Sequence, residues 1–186
     1  PVFMQFLESL TRLHAIETAE ITPDEVVAFY RSKLEQRYRA YDYTTFPGAA
    51  VVYESLASQV ETFRAFPKVA TIHGDPVFTN VMLTASEEIK FLDMRGRVGD
   101  TLTTAGDIFY DFAKVYQSLL GYDHILQGKI PQPDPELIAY LFDYISYQFG
   151  PQSIPYVRYL ANMLLFTLIP LHHSDRCAGF FKLIVL

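Results

Sequence analysis

Apolar residues recur at helical spacing through the opening stretch, "PVFMQFLESLTRLHAIE", where Phe3, Phe6, Leu7, Leu10, Leu13 and His14 fall on one face. The next stretch, "ITPDEVVAFYRSKLEQRYRAY", sets Thr22 as N-cap, Pro23 at the first helical position and Glu25 where a capping box needs it, with Glu35 and Arg39 as a favourable i,i+4 pair. "AAVVYESLASQVETFRAF" predicts a third helix that stops before Pro67, because the residue ahead of a proline is pushed out of the helical region. The period then shortens. "KVATIH", "NVMLT" and "IKFLD" are β-rich runs, the last two separated by "ASEE". A turn centred between Ser86 and Glu87 would set Thr84 opposite Ile89 and Asn80 opposite Asp93, about 4.5–5.5 Å apart.

Helical spacing resumes after "RGRVGDTLTTAGD". Asp107 is the expected cap of "IFYDFAKVYQSLLG", and Asp134 with Pro135 opens a helix that ends on Gly150. "IPYVRYLANMLLFTLI" reads as a strongly apolar last long helix. The pattern predicts one mainly α domain over residues 1–186 with a small β-hairpin insertion, an α+β fold without internal repeats or a linker.

Composition narrows the function. Half of the 186 residues are hydrophobic, so a packed core is expected, and the net charge of −6 with no run of Lys and Arg argues against nucleic acid as a partner. One cysteine, Cys177, excludes an internal disulfide and a cysteine-based zinc cage and fits a cytoplasmic protein. "YLANMLLFTLIPL" covers only about two-thirds of the ~20 residues a membrane span needs and carries Asn162 and Pro170, so a core helix is expected rather than a span.

Chemistry concentrates in "TIHGDPVFTNVM" and "FLDMRG". Asp75, Asn80 and Asp93 are hard oxygen donors of the kind Mg²⁺ takes, and the expected hairpin gathers them at its open end. Asp75 is then free to accept a proton from an attacking hydroxyl. Arg95 and Arg97 are placed to meet a phosphate or to pair with Asp100. His14 is expected as a hydrogen-bonded core histidine, His172, His173 and Asp175 as a solvated helix end, and Tyr116 and Tyr122 as core residues or as lining of a substrate cleft.

These segments resemble the aminoglycoside phosphotransferase and choline kinase family, small-molecule kinases with a protein-kinase-like fold. The His-Gly-Asp-(four residues)-Asn motif falls on His73, Gly74, Asp75 and Asn80, and the later metal-binding Asp on Asp93, with Gly96 closing a D-x-x-G turn. "GDIFYDFAKVYQSL" is similar to the family's Gly-Asp-(three residues)-Asp helix start at Asp107 and Asp111, and "LTRLHAIE" to its Leu-His helix. "DMRG" and "YDFAKVY" resemble in particular the branch associated with capsule and surface-sugar biosynthesis.

The resemblance implies the C-terminal lobe of such a kinase. Asp75 would be the catalytic base, Asn80 and Asp93 would hold Mg²⁺ on ATP, and His73, Gly74, Asp107 and Asp111 would brace the loop. The phosphate acceptor would be a hydroxylated small molecule such as a sugar, an amino alcohol or an aminoglycoside, and a cationic one would suit the acidic balance and many aromatics. No Gly-rich loop or Val-Ala-Ile-Lys strand is present, so the nucleotide-binding N-terminal lobe is expected to be absent and the isolated lobe inactive. The missing lobe, or a second copy of the chain, would cover an apolar face near Phe3 and Phe6. The rival expectations are a non-catalytic kinase-derived binding module and a metal-dependent phosphate hydrolase.

Overall fold

The computed structural model describes residues 2–17, 21–172 and 174–185. Helix α1 (Val2–His14) buries Phe6, Leu7 and Leu10 on the face its spacing predicts. Helix α2 (Pro23–Arg39) begins with the expected capping box: Glu25 N donates to Thr22 Oγ1 at 3.3 Å and Thr22 N to Glu25 Oε2 at 2.7 Å. The Glu35–Arg39 pair forms as well. Helix α3 (Ala49–Thr62) ends four residues sooner than the proline alone would require. The chain turns there because Phe63 and Phe66 pack on Tyr156, ring centroids 5.3 and 5.4 Å away.

Strand β1 (Val69–Thr71) is followed by β2 (Val81–Leu83) and β3 (Ile89–Phe91), which form a hairpin. "RGRVGDTLTTAGD", expected as loop, contains a second small hairpin of β4 (Arg97–Val98) and β5 (Thr101–Leu102), then β6 (Ala105–Asp107). β6 pairs antiparallel with β1, Thr71 opposite Ala105, which ties the stretch before the loop of interest to the start of α4 (Ile108–Leu119). Two short helices that the sequence pattern did not announce, α5 (Tyr122–Leu126) and α8 (Ser174–Lys182), flank α6 (Pro135–Phe149) and α7 (Ser153–Leu168). Asp134 caps α6, as expected, by accepting from Leu137 N at 3.0 Å.

The core centres on α4 against α7. Phe109, Phe112, Ala113 and Val115 of α4 and Val157, Leu160, Ala161, Leu164 and Leu165 of α7 are all buried, and Gln117 Nε2 ties the two helices by donating to Ala161 O at 3.1 Å. The run Ser153–Leu171 is long and apolar enough to cross a membrane, yet 72% of that window is buried inside this fold. Phe6, expected on an open apolar face, is a core residue at 3% exposure. Phe3 is half-buried beside it, and both rings meet Phe78.

The β2–β3 hairpin departs from expectation by one residue. Leu83 pairs with Ile89 and Val81 with Phe91, so Asn80 stands opposite Leu92, whose N donates to Asn80 O at 2.9 Å, and not opposite Asp93. The turn is the cause. Its loop holds three residues, Ala85 to Glu87, closed by Thr84 N donating to Glu88 O at 2.9 Å, with Glu87 in the left-handed region at φ 60°. Such a loop is a type I turn followed by a left-handed residue. Thr84 Oγ1 secures it by accepting from Glu88 N at 3.0 Å. An odd loop length shifts the register that an even one would give.

Candidate functional site

Helix α4 and its N-cap carry a polar stripe: Asp107, Asp111, Lys114 and Ser118 recur at i, i+4, i+7 and i+11. Each meets the chain segment 68–78 in order. Asp107, the N-cap, accepts from Phe109 N at 3.1 Å and from Lys68 N at 3.1 Å. Asp111 is fully buried and accepts three bonds: His73 N at 2.8 Å, Gly74 N at 2.7 Å and His14 Nε2 at 2.9 Å. Lys114 Nζ lies 3.0 Å from Asp75 Oδ1. Ser118 Oγ accepts from Phe78 N at 3.1 Å, and Asp123, just past the helix, accepts from Thr79 N at 3.3 Å. A buried carboxylate that satisfies backbone N–H groups both meets its own need for partners and holds the loop in one shape. His14 is thus the hydrogen-bonded core histidine that its helix position implied.

The loop's own residues complete the frame. Asp75 N donates to His73 Nδ1 at 3.2 Å, and Asn80 Nδ2 donates to Asp75 O at 3.0 Å and to Asp75 Oδ2 at 3.3 Å. Gly74 adopts φ 82°, and a Cβ there would sit 2.7 Å from Arg95 Cβ. That close approach, with Arg95 N donating to His73 O at 2.9 Å, is how the two motif loops come together. Asp93 is itself left-handed at φ 58°, so the chain swings out of β3 there.

The result differs from three groups facing one another across a ribbon. Asp75 and Asp93 line one open cleft of about 400 Å³, together with Gly74, Arg95, Tyr110 and Lys114, and Asn80 reaches it only through its contact with Asp75. Asp93 accepts no hydrogen bond and forms no ion pair among the described residues, and the bond from Asn80 Nδ2 to Asp75 leaves the amide oxygen as the end open to a ligand. Two hard oxygen donors with spare capacity, the Asn80 amide oxygen and the Asp93 carboxylate, beside a second carboxylate in Asp75, are chemically suited to Mg²⁺.

Cations dominate the rest of the cleft. Lys33 and Arg37 of α2 line it beside Arg95 and Lys114. Lys33 Nζ and Arg95 Nη1 both donate to Tyr110 Oη, at 3.0 and 2.6 Å. Burial alone would raise the Tyr110 hydroxyl, but Lys33, Arg95 and Lys114 outweigh it and bring it down to about 8. Burial also holds the Lys33 ammonium below its ordinary value. Burial acts the same way on Lys114, but the neighbouring Tyr110 and Asp75 prevail and raise it.

Other candidates lie elsewhere. Arg97 pairs with Asp100 at 3.7 Å. Tyr122 is core, and Tyr116 borders a separate cavity with Leu56 and Arg158. The His172 ring packs on Phe180 at 4.9 Å, and His173 lies outside the described residues. Cys177 is buried. Lys33, Arg37, Tyr110 and Lys114 were missed by motif reading. The signal for Lys114 was present in the polar period of α4, whereas nothing local marks Lys33 or Arg37. No family model matches the chain, and no curated protein or solved structure matches it significantly.

Proposed function

We propose that this chain is the helical lobe of a small-molecule phosphotransferase, moving a phosphate from a nucleoside triphosphate to a hydroxyl group. One observation carries the reading. The His-Gly-Asp loop is pinned by the buried Asp111 so that Asp75 opens into the same cleft as Asp93. Phosphoryl transfer asks a protein mainly to position groups and neutralise charge, and this cleft offers residues for both. Asp75 orients the acceptor hydroxyl and takes its proton as the new O–P bond forms and the nucleoside diphosphate departs. Lys114, 3.0 Å from Asp75 Oδ1, fixes the carboxylate's direction and faces the charge that develops. Asn80 and Asp93 would hold Mg²⁺, which supplies charge neutralisation on the donor phosphates when bound.

A non-catalytic binding module is the second reading, and the Lys114–Asp75 ion pair favours it, because it occupies one oxygen of the candidate base. Turnover separates the two. With the chain in its native reading frame, supplied with Mg²⁺ and ATP, a panel of sugars, amino alcohols and their phosphates should yield a phosphorylated product by mass spectrometry. Asp75→Asn should slow transfer about 10²–10⁴-fold, the range for losing a positioned general base. Equal rates for both proteins would remove Asp75 from the chemistry.

A further inference from the structure

We infer that the α2 side of the Asp75 cleft is an anion site, in which Lys33, Arg37 and Arg95 grip a phosphomonoester carried by the molecule whose hydroxyl Asp75 faces. The assignment of that molecule as the acceptor rests on the phosphotransferase reading; the anion site itself does not.

The chain as a whole is acidic, 21 Asp and Glu against 15 Lys and Arg, yet this wall gathers cations. Among the described residues none of Lys33, Arg37 or Arg95 forms an ion pair with a carboxylate, whereas Lys114 has Asp75 and Arg97 has Asp100. Lys33 and Arg95 converge instead on a neutral partner, the Tyr110 hydroxyl, and both stand over the Phe29 and Tyr110 rings, 5.2–5.7 Å from their centroids. Crowding like charges costs energy unless an anion joins them. The cleft continues on the same three cations into a neighbouring hollow of about 450 Å³ lined also by Ser32, Gln36 and the Arg97–Asp100 ion pair, whose carboxylate is already matched by its own arginine, so a charged group has room beside the Asp75 end. Leu164, Leu168 and Leu171 supply an apolar wall along which a carbon skeleton can lie.

A phosphomonoester suits this setting better than a carboxylate. It carries nearly two negative charges and three acceptor oxygens, matching two guanidinium groups and an ammonium. The donor triphosphate is the other source of phosphate. It would bring its own cation to Asp93, and Lys33 and Arg37 sit on α2, which bears none of the motif residues. The same cations disfavour the cationic acceptor that the acidic composition pointed to.

Calorimetric titration of the 186-residue chain with glycerol 3-phosphate, glycerol and MgATP tests this. Glycerol 3-phosphate should bind at least about tenfold more tightly than glycerol, and Arg37→Gln and Lys33→Met should each weaken it about tenfold, one good charge-assisted contact apiece. Arg37→Gln should leave the melting temperature unchanged. As a second readout, the 295 nm absorbance step from Tyr110 near pH 8 should move upward when the phosphate compound is bound, since an added anion opposes the phenolate. Equal affinity for glycerol and its phosphate, or wild-type affinity in both variants, overturns the site. Competition between MgATP and glycerol 3-phosphate assigns the cations to the donor and overturns the acceptor assignment. Tight, variant-sensitive binding of glycerol 3-phosphate without any transfer in the native reading frame supports the anion site while the phosphotransferase reading fails.

Discussion

Asp107 shows how one side chain is asked to do two things. Its carboxylate caps α4 and also accepts from the Tyr156 hydroxyl at 2.6 Å and the Tyr30 hydroxyl at 3.2 Å. Burial prevails over the bonds it accepts from Tyr156, Lys68 N, Phe109 N and Tyr30 and raises the group to about 6. The folded state therefore holds a proton at pH values where the unfolded chain has released it. The group's contribution to stability is complete below the ordinary carboxylate value near 4 and is lost as pH rises through about 6. Two units of difference correspond to about 3 kcal/mol. Urea unfolding at pH 4, 5.5 and 7 should show wild type losing roughly that amount relative to Asp107→Asn, which has no proton to release. Parallel pH profiles for the two proteins would mean that Asp107 is already ionised in the folded state throughout this range.

At the scale of elements, the helices were legible because their signals are local. Thr22, Pro23 and Glu25 lie within four residues of one another, and so do Asp134 and Pro135, and each set forms the cap its order implies. The hairpin was half legible. Its strands follow from β-rich runs, but its register hangs on Glu87 adopting a left-handed backbone that a glycine or asparagine would have announced. That conformation makes a prediction. Glu87→Gly should raise stability by about 0.5–1 kcal/mol, the left-handed penalty less the added freedom of glycine when unfolded. For a chain of this size that is roughly 1–4 °C in Tm by differential scanning calorimetry. The Gln5 Nε2 bond to this residue is made to the backbone oxygen, at 2.7 Å, and survives the change. A lower Tm would mean that the Glu87 side chain contributes more than its backbone costs. The cleft cations were not legible at all. Lys33 and Arg37 look like the solvated face of a helix until folding carries Arg95, some sixty residues away, to the same wall.

Across the whole molecule, α4 joins the site to the core. One side of it presents the polar stripe to the His-Gly-Asp loop, and the other packs on α7, where Leu160, Ala161, Met163, Leu165 and Phe166 are entirely buried. A polar stripe of this kind holds a loop only while its helix stands still, and α4 stands still because α7 does. Damage to the α4-facing side of α7, away from the cleft-lining Leu164 and Leu168, should therefore appear first as loss of global stability. Leu160→Ala removes side-chain bulk from a site at 0% exposure and should cost about 2–5 kcal/mol, with a lower urea midpoint and an unchanged slope. Binding of glycerol 3-phosphate at 10 °C, where the folded form still predominates, should stay within about twofold of wild type, since Leu160 does not itself line the cleft and the substitution leaves Lys33, Arg37 and Arg95 in place. A tenfold loss of binding in a protein that is still folded by circular dichroism would show the opposite, that α7 packing sets the position of the stripe and the loop it carries. In that case the cleft could be tuned from the core.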